Sequence, residues 1–449
     1  MSDLETVFVR VADRVTPAPA ERERLRTAVD DLTARVRNAL ADLPVDARIV
    51  QVGSTARGTW LADDRDIDLF VCFPPDIDRA DLERYGLDVG RAALPDGREE
   101  YAEHPYVTGD IRGFDVDLVP CYDVADATAI QSAVDRTPFH DAYLQEHLDS
   151  DLKRDVRLLK AFLTGIGAYG SDLRTRGFSG YLSELLVLEY GGFEALLRAA
   201  ADWQPPVQLD PEDHGTATFD DPLVVVDPTD PERNVAAVCA AENVARLQHH
   251  ARDLLADPRD DPFQPTDPDP LDPDTVRAHL DRRGTTPVAV VFETPDLVDD
   301  QLYPQLRKSL DGIVGELDRR GFSPVRSTTF ADERAVLFVE LAVAKLPAIE
   351  RHEGPPVHVR EHATGFYEAY ADTDAYGPFL DADRYVVERE RKITTARDFL
   401  AGDALFDVAL GAHVETTLAT GYDLLVGDDV AVLADEFGRC LARYFDPGL

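Results

Sequence analysis

The residues most able to do chemistry lie between positions 53 and 117. Gly53-Ser54-Thr55-Ala56-Arg57-Gly58-Thr59-Trp60 is followed by Asp66-Ile67-Asp68, and Asp115-Val116-Asp117 comes later among apolar residues. Alternate residues of a strand face the same side, so the Asp66 and Asp68 carboxylates project together. Bare like charges cannot cheaply share a site, and a divalent cation relieves their repulsion. A third carboxylate on a neighbouring strand would complete a clamp for two Mg²⁺ ions about 3.5–4 Å apart. One ion would lower the pKa of an attacking hydroxyl and the other would stabilise a leaving pyrophosphate. Either Asp115 or Asp117 could supply that carboxylate, and spacing alone does not choose between them. The Gly-Ser turn would offer backbone N–H groups and a hydroxyl to phosphate oxygens. A single Asp-x-Asp means little in a chain with 86 acidic residues. The specific signal is Gly-Ser twelve residues before one such pair, with a second pair about 47 residues further on.

Elements must hold these residues in place. Leu25, Val29, Leu32, Val36 and Leu40 predict an amphipathic helix within 18–43. Arg48–Val52, Ile67–Phe73 and Phe114–Val119 read as strands. From about Leu152 the pattern turns helical, with one stripe over Leu158, Leu159, Phe162 and Ile166 and another over Leu182, Leu185 and Leu186. The Val224–Val226 run reads as a buried strand. Thr229-Asp230-Pro231 reads as the cap and first turn of a long helix through Leu255. Ala256–Thr275 holds six prolines and seven aspartates, an acidic extended linker. Strand, helix, strand, strand then follow over Val288–Glu293, 299–320, Ser323–Thr328 and Ala335–Leu341, and the remainder from Arg360 is expected to be mostly helical. The fold class is therefore a multidomain α/β (α+β) protein. Its expected domains are a palm-like sheet over 1–141, a helical central domain over 142–256, a linker over 257–275 and a C-terminal α/β body with a helical tail over 276–449.

Taken alone, the charge argues against a nucleic-acid partner. The 449 residues carry a net charge of −40, whereas nucleic-acid binding normally depends on Lys and Arg displacing counterions. Yet only five of the 46 basic residues are lysine. A Lys-poor, Asp-rich chain is expected of a protein working in molar salt, where screening acts within about 3 Å and hydrated carboxylates maintain solubility. Two segments run against the trend, 152–178 with a local charge of +4 and 384–397 with +3. Lys160 lies in the first and is read as a phosphate contact. Arg57 suits bidentate phosphate contact, though alone it reads more readily as a surface arginine, and His140 alone reads as a capping or core histidine. Trp60 is expected to pack behind the Gly-Ser turn. Four cysteines without a CxxC give neither a zinc knuckle nor a disulfide framework and fit a reducing cytoplasm. No apolar run approaches the length of a membrane span, and the acidic amphipathic N-terminus does not read as a signal peptide.

These motifs resemble the polymerase-β nucleotidyltransferase superfamily, and the longer text resembles the archaeal (class I) CCA-adding enzymes. The matching words include VGSTARGTWL (52–61), DIDLFVCFP (66–74), HPYVTGDIRGFDVDLVPCY (104–122), SAVDRTPFH (132–140), VRLLKAFL (156–163), RGFSGYLSELLVLEYGGF (176–193), RNVAA (233–237), GPPVHVREHATGFYEAY (354–370) and RYVVERERK (384–392). The resemblance implies a cytoplasmic, homodimeric enzyme that adds C, C and A to the 3′ end of tRNA from CTP and ATP. It assigns Asp66, Asp68 and Asp117 as ligands of two Mg²⁺ ions, with Asp66 standing where the family often has Glu. It also implies that Ser54, Arg57, Thr137, His140, Lys160 and Tyr169 hold the nucleotide, mainly through its triphosphate, while Arg233 contacts the base edge. The C-terminal body and tail would grip the acceptor–TΨC arm. With the salt-adapted composition, a haloarchaeal source is implied. The competing readings are a poly(A)- or oligoadenylate-type polymerase of the same superfamily and a non-catalytic RNA-binding protein.

Overall fold

The computed structural model describes residues 3–101, 103–215 and 217–448, which form two compact units meeting between Thr266 and Asp267. The first unit opens with helices α1 (Asp3–Val15) and α2 (Pro19–Leu40), then β1 (Arg48–Val52), the short α3 (Gly53–Arg57), β2 (Asp66–Phe73), α4 (Arg79–Ala93), β3 (Arg98–Tyr101), β4 (Pro105–Ile111) and β5 (Phe114–Tyr122). The five strands form one sheet in the order β1-β2-β5-β4-β3. Only the central pair, β2 and β5, is parallel. α2 forms as its stripe requires: Leu25, Leu32 and Val36 are buried with Ala28, and Pro19 occupies the first turn, where its missing N–H costs nothing. With α4 these residues cover one sheet face, meeting Ile67, Leu69, Val71, Val116 and Leu118. Trp60 joins that core, behind the Gly-Ser turn.

Helices α5 (Thr137–His147), α6 (Ser150–Gly165), α7 (Gly180–Tyr190) and α8 (Phe193–Ala201) follow, then β6 (Val207–Leu209), β7 (Leu223–Asp227), β8 (Asp230–Asn234) and α9 (Ala241–Ala256). Asp149 caps α6 by accepting from the Asp151 and Leu152 N–H groups, and Ser179 caps α7 through Leu182. Their apolar faces pack with α1, α8 and α9 into one core. The expected helix from Thr229 is corrected here. Asp227 accepts the Thr229 N–H and hydroxyl, which turns the chain back so that β8 pairs antiparallel with β7, and the helix starts only at Ala241. That Asx turn competes with helix capping for the same residue types, and here it prevails. Within the acidic stretch after α9, Phe263 is buried in the core of the first unit.

The second unit contains α10 (Pro273–Arg283), β9 (Thr286–Glu293), α11 (Asp299–Arg320), β10 (Pro324–Ala331), β11 (Arg334–Leu341), β12 (Ile349–Pro356), α12 (Arg360–Tyr370), β13 (Tyr376–Asp381), β14 (Arg384–Glu390), α13 (Ala396–Leu400), α14 (Ala412–Thr420), β15 (Asp423–Val426) and α15 (Ala434–Phe445). An antiparallel sheet, β10-β11-β9-β15, is buried on both faces. The apolar run of β9 reflects this: Val288 and Val290 meet α11, while Ala289 and Val291 meet α10 and α15. The region after Arg360 is less helical than expected, because β12, β14 and β13 form a second sheet. Tyr385-Val386-Val387 favours a strand, and Ala382 at φ +49° turns the chain between β13 and β14. The arginines of this basic segment have local partners: Arg389 and Arg391 pair with Glu350.

Candidate active site

The parallel register of β2 and β5 sets Asp66 beside Asp115 and Asp68 beside Asp117. Their neighbours Ile67, Val116 and Leu118 point into the core, so all four carboxylates share the opposite face. The two pairs differ. Asp66 and Asp115 are exposed, whereas Asp68 and Asp117 are half-buried. Burial, then the Asp117 and Asp66 carboxylates, pushes the Asp68 carboxyl up to about 7. Burial also raises the Asp117 carboxyl, against a hydrogen bond from Thr108. Asp117 thus lies inside the carboxylate cluster and Asp115 at its rim. These hard oxygen donors suit Mg²⁺-class ions, and crowding that favours protonation is the condition a cation relieves. Among the described residues, no three His, Cys, Asp or Glu side chains converge into a closed ligand set; the fold supplies shared direction and register.

Gly53, at φ +81°, starts α3 against this cluster. A Cβ there would lie 2.2 Å from Asp68 Oδ2, so only glycine permits this approach of the turn to the carboxylate. Ser54 is half-buried on the first turn.

Sequence reading directed Arg57 and Lys160 toward phosphate, but both side chains lie inside the protein. The Arg57 fork donates to Glu184 Oε2 at 2.9 Å and to Asp141 Oδ1 at 2.6 Å. Lys160 Nζ lies 3.3 Å from Glu184 Oε1 and from the Thr59 carbonyl, and Thr59 donates its hydroxyl to Glu184. The two cations and two carboxylates compensate each other, which is what burial of charge requires. Burial would raise the Glu184 carboxyl, but Lys160 and Arg57 outweigh it and hold it below its ordinary value. Burial likewise lowers the Lys160 ammonium, against Glu184. The cluster extends toward the carboxylate face of the sheet through Asp64. Its carboxyl is raised by burial and by Asp66, while Lys160 pulls it the other way. The half-buried Tyr169 lies near Lys160: both approach Gly180, where the Tyr169 hydroxyl would crowd a Cβ at 3.2 Å.

A second constellation forms around Asp227, the last residue of β7. His140 Nε2 and Arg233 Nη1 each lie 2.8 Å from Asp227 Oδ2, and the Tyr181 hydroxyl lies 3.4 Å from Oδ1. His140 stacks on Tyr181 with ring centroids 4.0 Å apart. Burial lowers the His140 imidazole despite Asp227, and the hydrogen bonds from His140 and Thr229 hold Asp227 below the usual carboxylate range against its burial. Helix α5 joins the two clusters: its Asp141 faces Arg57 and its His140 faces Asp227. Thr137 begins that helix. The buried Asp135 fixes its approach by accepting from the N–H groups of Tyr122, Gln131 and Ser132. Sequence reading missed Glu184, Asp227, Asp135 and Asp64. Glu184 alone carried a visible signal, as an acid in the apolar run of α7.

Residues 34–140 match the nucleotidyltransferase domain family, 154–264 the second domain of tRNA nucleotidyltransferase, and 283–427 the C-terminal domain of the CCA-adding enzyme. The CCA-adding enzymes of Halorubrum lacusprofundi, Haloarcula marismortui and Halobacterium salinarum are 63%, 61% and 63% identical, each across 100% of both chains. The chain belongs to the archaeal CCA-adding enzyme family, tRNA nucleotidyltransferases that use tRNA, ATP and CTP. Enzymes of this superfamily work with divalent metal ions. No helix among the described residues is long and apolar enough to cross a membrane.

Proposed function

We propose that Asp66, Asp68 and Asp117 hold two Mg²⁺ ions and that this face carries the addition of C, C and A. The observation behind the assignment is the β2–β5 register, which aligns Asp68 with Asp117 on the face reached by the Gly53 turn. When bound, the metals lower the pKa of the tRNA 3′-hydroxyl and neutralise the departing pyrophosphate. The protein chiefly positions the reactants in line. Ser54 and the α3 N–H groups, Thr137 and the Tyr169 hydroxyl line the triphosphate side. Arg57 and Lys160, compensated by Glu184 and Asp141, brace the turn from behind. His140, with the triphosphate-side residues, and Arg233, toward the base edge, are joined at Asp227. The palm over 1–141 and the helices over 142–256 make the nucleotide site, and the C-terminal body, residues 276–449, holds the acceptor–TΨC arm through backbone and shape contacts. The protein acts as a cytoplasmic homodimer.

The test supplies tRNA ending before CCA with all four nucleotides and Mg²⁺. Addition stopping after C, C and A supports the reading, and unlimited A addition would identify a poly(A)-type polymerase instead. Asp117→Asn should abolish incorporation while leaving tRNA affinity within about twofold. Unchanged incorporation removes Asp117 from the site.

A further inference from the structure

Two of the four cysteines are partners in space. Cys72 and Cys121 are 49 residues apart in sequence, yet they are directly registered on β2 and β5, and the Cys121 thiol donates to Cys72 Sγ at 3.3 Å. Neither is in a disulfide. Each stands four residues beyond a proposed metal ligand, Asp68 or Asp117, on the same sheet face. They lie beneath a small apolar patch of Val52, Phe70, Val50, Val119 and Val134. Arg48 is the registered neighbour of Cys72 on the edge strand β1. Its half-exposed guanidinium pairs with Asp123 at 2.5 Å. Three consecutive strands therefore carry a cation, a thiol and a second thiol in one row.

We propose that Cys72 and Cys121 form an oxidative-modification site, closed to an intramolecular disulfide by hydroperoxides, and that closure slows nucleotide transfer. The hydrogen bond from Cys121 and the charge of Arg48 favour the Cys72 thiolate, the reactive form. Both thiols are buried, so a small oxidant enters when β1, an edge strand beginning at Arg48, opens locally. The Cys72 thiolate attacks one peroxide oxygen as the O–O bond breaks, leaving a sulfenic acid and, after protonation, water. The Cys121 sulfur then displaces the sulfenic oxygen, which leaves as a second water with the Cys121 proton. Two thiols and one hydrogen peroxide thus become one disulfide and two waters. A disulfide requires about 2.05 Å between sulfurs, so the two side chains and the strands carrying them must readjust across a gap that is now 3.3 Å. That movement occurs four residues from Asp68 and Asp117. A misplacement of about 1 Å at reacting groups can cost a hundredfold in rate.

The full-length protein is treated with hydrogen peroxide, its thiols are counted after denaturation, and its non-reduced digest is examined by mass spectrometry. The only methionine is Met1, which limits competing oxidation. The expected result is a fall from four thiols to two, a peptide cross-linked through Cys72 and Cys121, and incorporation reduced at least about tenfold. Dithiothreitol should restore both thiols and activity. Cys72→Ala should keep its untreated activity and show neither the cross-link nor reversible inactivation. Retention of all four thiols, or their loss without this cross-link, overturns the site. Cross-linking with unchanged incorporation overturns its control of catalysis.

Discussion

Replacing Gly53 with alanine tests whether the turn and the carboxylate cluster form one device. The added Cβ would sit 2.2 Å from Asp68 Oδ2, whereas ordinary contact begins near 3.4 Å, so the carboxylate must recede by about 1.2 Å. The backbone offers little alternative, because Gly53 sits at φ +81° and alanine there costs about 1–2 kcal/mol. A displacement of that size at a reacting group is worth on the order of a hundredfold in rate. The strain should lower the unfolding midpoint by roughly 2–8 °C, at 2–4 °C per kcal/mol for a domain of this size. Gly53→Ala should therefore fold and bind tRNA while incorporating CTP and ATP about a hundredfold more slowly. The assay pairs a nucleotide-resolved incorporation time course with thermal denaturation of the same preparation. Incorporation within about threefold of the parent, with normal stability, would refute the coupling of the turn to Asp68.

Glu184→Gln should destabilise the protein by about 3–5 kcal/mol in denaturant titration, because it leaves Arg57 and Lys160 buried without their shared anion. Asp227→Asn should raise KM for CTP and ATP by about tenfold to a hundredfold by loosening His140 and Arg233 together, and Asp227→Glu should recover part of that loss. In acid the same pair should weaken the fold. The folded-state pKa of His140 is depressed, so its stability contribution is lost as pH falls below the ordinary histidine value near 6.5. Asp227 is depressed as well, so its contribution holds above about pH 4 and is lost below it. His140→Gln should flatten the decline between pH 6.5 and 5 in pH-dependent unfolding. Stability should rise with KCl and incorporation should persist in molar salt, as a chain at −40 with five lysines requires; stability flat or falling with salt would contradict that reading.

The carboxylate strands and the turn beside them were legible in the sequence because each lies within a single element. Two Asp-x-Asp strands have a period of two, so each declares its own exposed face before any partner is known, and a Gly-Ser turn next to one of them is local as well. The same holds for α2, β9, α11 and β11, whose apolar residues are buried as the pattern requires. Legibility ended where a residue's role depended on a distant neighbour. Nothing near Arg57 in sequence shows that Asp141 and Glu184, 84 and 127 residues away, take both edges of its fork. Thr229-Asp230-Pro231 matched a helix cap, but the Asp227 carboxylate reached the Thr229 N–H first and made a hairpin.

The cysteine pair marks the boundary between these cases. Once β2 and β5 are known to be parallel with Asp68 beside Asp117, the equal offset of four residues places Cys72 beside Cys121 by necessity. The sequence held the offset but not the strand pairing that gives it meaning. Asp68 and Asp117 report the same register through charge that Cys72 and Cys121 report through sulfur. A shift of one residue between the strands would move Asp117 and Cys121 together to the core face. The register that assembles the carboxylates therefore also assembles the thiols, and a variant that slips it should lose metal-dependent incorporation and peroxide cross-linking at once.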